Sequence, residues 1–103
     1  MTVIVMGHIR APASEIDRLK PAIDAMVAAT TQEEGCEHYS FARHVGDPEL
    51  LILSERWASA EALAAHGQTA HMKAFNQAIA GATLHAVSVK VWNGSFWRTL
   101  IGE

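Results

Sequence analysis

A chain of 103 residues, half of them hydrophobic, is long enough to bury one core and too short for two ordinary domains. Its formal net charge of −3, with only eight lysines and arginines, offers no positive field to nucleic acid or to an anionic membrane surface. The sequence therefore predicts one domain over residues 1–103, with neither nucleic acid nor membrane as a partner. The apolar run from Val3 to Gly7 is too short to span a bilayer, and the single Cys36 cannot form an internal disulfide, so we expect a cytoplasmic protein.

The first third of the chain predicts a strand followed by a helix. From Thr2 to Arg10, apolar or large side chains occupy both alternating faces, which indicates an interior strand. Ser14 is the expected N-cap of a helix in which apolar residues recur at helical spacing as far as Thr30. Because Pro21 removes one backbone hydrogen bond, we expect this helix to kink between Asp17 and Pro21 or to begin its regular part late.

The middle of the chain predicts a hairpin and then two short helices. Strand-like segments run from Cys36 to His44 and from Leu50 to Trp57, and the loop from Val45 to Glu49 contains Gly, Asp and Pro. Ser59 is a candidate N-cap for a helix that ends at His66, and Thr69 is a candidate N-cap for a helix that ends before Gly81.

The last part predicts a strand from Leu84 to Trp92, a turn at Asn93-Gly94, and a short fifth strand from Phe96 to Ile101. The order β-α-β-β-α-β plus a C-terminal strand is typical of an α+β, ferredoxin-like split βαβ fold, with two helices on one face of an antiparallel sheet. The other sheet face would then be bare although it is partly apolar. The sequence therefore predicts a homodimer that covers this face, with the fifth strand reaching the partner.

A family resemblance rests on the segment from Glu33 to Phe75, EEGCEHYSFARHVGDPELLILSERWASAEALAAHGQTAHMKAF. It contains an acidic-Gly-Cys turn, a strand bearing Tyr39, an Asp-Pro loop, Glu55-x-Trp57, and two histidines, His66 and His71, before an aromatic residue. This pattern resembles the antibiotic biosynthesis monooxygenase (ABM) family. The resemblance implies a dimeric α/β barrel, and it implies chemistry like that of the quinol and anthrone oxygenases of the family, which need no metal or flavin.

Three residues are the candidate catalytic groups: His71, His66 and Trp57. His66 would end one helix and His71 would begin the next, so the helix dipoles favour imidazolium at the first and neutral imidazole at the second. That asymmetry suits an acid and a base, with His71 as the base. Equally, one histidine could be a hydrogen-bonded hinge and the other merely exposed, and Trp57 could be a core residue.

Other residues are candidates for binding a substrate, namely His8, Tyr39, Arg43, Met72 and Phe75. Met72 and Phe75 are expected to lie in the core or in the wall of a pocket. Tyr39 and Arg43 share a strand face, and His8 lies in the middle of a strand. We interpret Glu55 as the partner of Arg56 or Arg43 in a structural ion pair, or as a dimer contact, rather than as a catalytic base.

The sequence gives no local signature of a cofactor. His66 and His71 are five residues apart with a glycine between them, which is not the i, i+4 pair of a helical zinc site, and there is no Gly-rich phosphate loop. We therefore predict no cofactor and no stoichiometric metal, although a metal site assembled from distant elements stays open.

The resemblance, together with the lack of a cofactor signature, implies a cofactor-independent monooxygenase that oxidises a small aromatic quinol or anthrone with O₂. The alternative is a non-catalytic dimeric domain that binds a small ligand or serves a stress response. A haem-degrading protein is a third reading within the family. It is disfavoured because His66 stands where that branch has a tryptophan and Asn76 where it has the iron ligand.

Overall fold

A computed structural model describes all 103 residues, which form four strands and three helices. In chain order the elements are β1 (Thr2–Arg10), α1 (Ala13–Thr30), β2 (Cys36–Arg43), β3 (Leu50–Trp57), α2 (Ala60–His66), α3 (Ala70–Ala80) and β4 (Ala86–Gly94). None of the three helices combines the length and the apolar character needed to cross a lipid bilayer.

The four strands form one antiparallel sheet in the order β2-β3-β1-β4. The strand β1 is flanked on both sides, with Val3 opposite Trp57 of β3 and opposite Asn93 of β4. The interior position predicted for β1 is therefore confirmed. Each βαβ unit has another strand inserted between its two strands, so the predicted ferredoxin-like split βαβ arrangement is confirmed as well.

The core lies between one face of this sheet and the helices. Side chains alternate across a strand, so Val3, Val5 and Ile9 of β1 point toward the helical layer and are buried. They meet a buried stripe on α1 that consists of Ile16, Leu19, Ile23 and Met26. The opposite sheet face is uncovered, and Ile4 and Met6 of β1 are 40% and 57% exposed there.

The predicted helix caps are partly confirmed. The Ser59 side chain accepts a hydrogen bond from the Ala62 amide, and the Thr69 side chain accepts one from the Met72 amide. The prediction of Ser14 as the N-cap was wrong. The helix α1 begins at Ala13, and the Pro12 carbonyl accepts its first backbone hydrogen bonds. The helix continues without interruption through Pro21, so the late start does not occur.

The C-terminal segment differs from the prediction. Asn93 and Gly94 pair with the start of β1 and extend β4, so they form no turn. The fifth strand predicted for Phe96 to Ile101 is absent from the single chain, because those residues pair with no sheet edge. Their large side chains, Phe96, Trp97, Leu100 and Ile101, are at least 78% exposed.

Candidate functional site

A cavity of about 310 Å³ lies between the sheet and the helices α2 and α3. Its wall is mostly apolar and includes Val5, Ile9, Phe41, Leu53, Leu63, Met72, Phe75, Ile79, Val87, Val89 and Val91. The valines of β4 are about half exposed, so the cavity is open along that strand. Its size is at the low end of the range for sites that bind small organic molecules.

Two nearly buried side chains present polar atoms to this cavity. Tyr39 and His66 are only 5% and 4% exposed, and both line the wall. The Tyr39 hydroxyl forms no hydrogen bond within the protein, and His66 uses only Nδ1. No fully buried polar side-chain atom lacks a partner, so the Tyr39 hydroxyl and the His66 Nε2 atom both keep some accessible surface, and we infer that it faces the cavity that the two residues line. They are available to a ligand.

The Tyr39 phenol is held in its protonated form. Burial raises its pKa above the ordinary value, and the nearby carboxylates of Glu55 and Glu33 raise it further. A phenol that stays protonated at neutral pH is a hydrogen-bond donor. Tyr39 can therefore donate to an oxygen atom of a ligand in the cavity.

Glu55 is a buried carboxyl group in the same wall. The Trp57 indole N–H donates a 2.8 Å hydrogen bond to Glu55 Oε1. Burial raises the pKa of Glu55, while the hydrogen bond from Trp57 acts in the opposite direction. Trp57 itself is completely buried, and it orients Glu55 rather than lining the cavity.

The ion pair predicted for Glu55 does not form. Arg56 points to the opposite sheet face and binds Glu37 at 3.1 Å, while Arg43 binds Asp17 of α1 at 2.9 Å. Glu55 lies on the helix-facing side of β3, so Arg56 is on the other face. Arg43 is on the same side as Glu55, but it pairs with Leu51, four residues away along β3.

Three residues from separate elements form a hydrogen-bonded cluster behind the cavity wall. Glu33 belongs to the loop between α1 and β2, His66 ends α2, and His71 lies in the first turn of α3. Glu33 Oε2 is 2.7 Å from His66 Nδ1 and 2.7 Å from His71 Nε2. A carboxylate only accepts hydrogen bonds, so each imidazole must present an N–H to it. The neutral form of His66 then carries its proton on Nδ1, which leaves a free lone pair on Nε2.

Aromatic packing fixes the His66 ring. Its centroid is 4.9 Å from the Trp57 ring and 5.4 Å from the Tyr39 ring. The turn between the helices is held by Thr69, whose hydroxyl donates to the His66 carbonyl at 2.8 Å and accepts from the Met72 amide at 3.2 Å. This turn holds His66 and His71 at a fixed separation.

Gly35 allows the Glu33 loop to approach α2. Its φ angle of +82° is in the region that favours glycine, and a Cβ atom there would lie 2.6 Å from the Ala62 Cβ. The glycine therefore brings the Glu33 loop against the helix that carries His66.

The structure brings together only part of the predicted site. Tyr39, His66, Met72 and Phe75 line the cavity. Trp57 and His71 lie behind the wall, where both contact the His66 ring.

Two further candidates lie elsewhere. His8 is on the uncovered sheet face, because it alternates with Ile9 along β1. Arg43 lies over α1, where it also donates to the Ala13 carbonyl at 3.1 Å.

The sequence analysis did not predict the positions of two carboxyl groups at the cavity and its histidine cluster. Glu55 interrupts the alternating buried positions Leu51, Leu53 and Trp57, and that periodicity marks it as a buried acid. Glu33 belongs to the acidic-Gly-Cys turn, but no local pattern indicates that His66, 33 residues later, would contact it.

Comparison with known proteins identifies the family. The antibiotic biosynthesis monooxygenase model matches residues 2–78, which is about three quarters of the chain. The chain belongs to the antibiotic biosynthesis monooxygenase family. It is 35% identical over 69 residues to the Escherichia coli K12 protein named probable quinol monooxygenase YgiN. That match covers 57% of this chain and 64% of the E. coli protein, slightly less than two thirds of its length.

Solved structures show the same fold as this ABM family member. Rv0793 from Mycobacterium tuberculosis superposes with a TM-score of 0.84 at 23% identity, covering 96% of this chain and 100% of its own. PA3566 from Pseudomonas aeruginosa superposes with a TM-score of 0.81 at 23% identity, covering 92% of this chain and 95% of its own. At these identities the likeness concerns the fold alone.

Proposed function

We propose that this protein is a cofactor-independent monooxygenase that oxidises a small quinol or anthrone with O₂. The observation that carries the proposal is the His66 imidazole, whose free Nε2 opens into an apolar cavity while Nδ1 is held by Glu33. Membership of the ABM family supports an oxygenase, and the name of the E. coli relative supports a quinol substrate class.

His66 rather than His71 is the base in this proposal. Glu33 fixes the His66 tautomer with the lone pair toward the cavity, which is the state required for accepting a proton from a bound substrate. His71 is not part of the cavity wall and contacts the same Glu33 oxygen as His66. It helps to orient the carboxylate.

The reaction needs a base, an oxygen-stabilising donor and an apolar enclosure. In an anthrone, His66 Nε2 removes a proton from the reacting CH₂ carbon, and the Tyr39 hydroxyl donates to the oxygen where negative charge develops. The resulting anion transfers electrons to O₂, and a carbon–oxygen bond forms. The proton on His66 returns to the peroxide, and the hydroperoxide loses water to leave a carbonyl. One oxygen atom enters the product and the other leaves as water, so the substrate itself is the reductant.

The test is oxygen consumption with a panel of anthrones and quinols, followed by mass spectrometry after reaction under ¹⁸O₂. We expect O₂ uptake with at least one anthrone and one labelled oxygen atom in its quinone product. Formation of H₂O₂ with no label in the product would contradict the proposed monooxygenation. Ligand binding without any O₂ uptake would instead support the non-catalytic binding domain.

We also propose that the protein is a homodimer that assembles through the uncovered sheet face. Ile4, Met6 and Trp92 expose large apolar surfaces on that face, with Trp92 50% exposed. Monomeric proteins seldom leave a contiguous apolar sheet face in water. The apolar tail from Phe96 to Ile101, unpaired in the single chain, supports the same assembly.

A further inference from the structure

We propose that Glu33, His66 and His71 form an exchangeable binding site for Zn²⁺, and that zinc switches the tautomer of His66. The three side chains place their ligand atoms within 4.8 Å of one another. Two imidazole nitrogens and one carboxylate oxygen are a donor set that suits zinc and other late divalent metals. Mg²⁺ and Ca²⁺ prefer sites made of oxygen ligands.

The geometry requires only a small adjustment. Each imidazole nitrogen is now 2.7 Å from Glu33 Oε2. In a tetrahedral zinc site with bonds of about 2.0–2.1 Å, neighbouring ligand atoms are about 3.3 Å apart. Each imidazole nitrogen would therefore move away from Glu33 Oε2 by roughly half an ångström as zinc replaces the two hydrogen bonds. The two nitrogens, which lie within 4.8 Å of one another, would also have to come to about 3.3 Å.

The charge around Glu33 favours a cation. Its carboxyl group is largely buried and forms no ion pair with a lysine or arginine, since its close partners are the two imidazoles. A buried carboxylate is stabilised by a positive charge or by strong hydrogen bonds. His71 is partly exposed, so an ion and a water molecule as its fourth ligand can reach the cluster from that side.

The position of the cluster determines what zinc does. It would bind Nδ1 of His66, whereas the cavity contacts Nε2 of the same ring. Zinc is therefore separated from a substrate by the imidazole and does not contact it. A neutral imidazole that binds zinc through Nδ1 carries its proton on Nε2, so the lone pair that faces the cavity is lost. Zinc binding should remove the basic atom from the cavity while it strengthens the packing of α2 and α3.

The spacing of His66 and His71 did not predict this site, because a local spacing involves only these two ligands. The third ligand comes from a loop 33 residues before His66, and only the fold places it between the histidines. An exchangeable site with three protein ligands is also compatible with a protein that is purified without stoichiometric metal.

The test is zinc binding to the full chain, measured by competition with a chromophoric chelator, with Mg²⁺ as the control ion. We expect one Zn²⁺ per chain and no competition by Mg²⁺. Loss of an outer-shell partner alone lowers metal affinity by about 10–100-fold, so Glu33→Gln and His71→Gln should each weaken zinc binding at least about tenfold. His85→Gln is the matched control, because His85 is exposed and far from the cluster in sequence. The zinc affinity of this variant should equal that of the wild type.

The second readout is the His66 tautomer, measured by side-chain ¹⁵N NMR with and without zinc. The proton should move from Nδ1 to Nε2 when one equivalent of zinc is added. Circular dichroism verifies that each variant is folded. Equal affinity in the wild type, Glu33→Gln and His71→Gln would overturn the site, and an unchanged tautomer in the zinc-bound protein would overturn the switch. Neither measurement depends on a substrate, so the result is independent of the proposed oxygenase activity.

Discussion

Glu33 Oε2 and His66 Nδ1 lie 2.7 Å apart, although one belongs to the loop before β2 and the other to the end of α2. In the proposed mechanism this hydrogen bond leaves the imidazole lone pair free on Nε2, where it can accept a proton from a substrate. The proposed base therefore depends on the carboxylate that orients the imidazole.

Replacing Glu33 by glutamine tests this dependence. The amide keeps the shape of the side chain but offers both a donor and an acceptor, so the His66 tautomer is no longer fixed. We expect kcat to fall at least about tenfold with little change in KM, because Glu33 does not line the cavity. Glu34→Gln is the control, since its side chain is exposed and adjacent in sequence, and it should retain full activity. A change in KM alone would indicate that Glu33 acts on substrate binding instead.

Replacing Glu55 by glutamine should change how stability depends on pH. Burial raises the pKa of Glu55 above 4.5 in the folded protein. A carboxyl group with a raised pKa favours folding when it is protonated, and that contribution is lost as pH rises through the folded pKa. Glu55→Gln, which cannot ionise and can still accept from Trp57, should therefore be more stable than the wild type at pH 7.

The measurement is the free energy of unfolding by urea between about pH 3 and pH 7, a range that brackets the ordinary carboxyl pKa. The advantage of Glu55→Gln should disappear at the acidic end of this range. A Glu55→Gln protein that is less stable than the wild type at pH 7 would mean that the ionised carboxylate is favoured by the fold.

Gly35→Ala should destabilise the protein and disturb the cluster. The positive φ angle alone costs about 1–2 kcal/mol for a residue with a Cβ atom, and the added atom also meets the Ala62 side chain at 2.6 Å. We expect the free energy of unfolding to fall by about 2 kcal/mol or more. Gly46→Ala is the matched control, because Gly46 has no positive φ and an added Cβ meets only the His44 ring, no closer than 3.4 Å.

The double variant Gly35→Ala/Ala62→Gly separates the two causes. It removes the contact but not the backbone strain, so it should recover only part of the lost stability. Full recovery would show that backbone strain contributes nothing at this position.

The proposed dimer predicts a specific response to charge on the bare sheet face. Trp92→Glu should convert the protein to a monomer in sedimentation at micromolar concentration, because a carboxylate would be buried without a partner in the interface. Gln77→Glu introduces the same charge on an exposed position of α3 and should leave the dimer intact. A wild-type chain that sediments as a monomer would refute the assembly.

The sequence predicted the fold better than the site. Apolar periodicity and the Ser59 and Thr69 caps located the main elements, because those signals are local. The prediction of a strand from Phe96 to Ile101 was wrong for the single chain. These residues favour strands, but no edge of the sheet pairs with them.

Positions that depend on contacts between distant elements were less predictable. His71 was expected to face the cavity, yet it lies behind the wall, where it shares Glu33 Oε2 with His66. Helix-dipole arguments describe the ends of α2 and α3, but they do not reveal a carboxylate that comes from another loop.

The most direct test of the central claim is the turnover of His66→Gln beside that of His71→Gln, on whichever anthrone or quinol consumes O₂. If His66 is the base, His66→Gln should lower kcat by roughly 10²-fold, at the low end for general base catalysis, while His71→Gln has a smaller effect. Adding Glu33→Gln to His66→Gln should then cause little further loss, because both changes affect the same proton transfer. Full turnover by a folded His66→Gln protein would contradict the account.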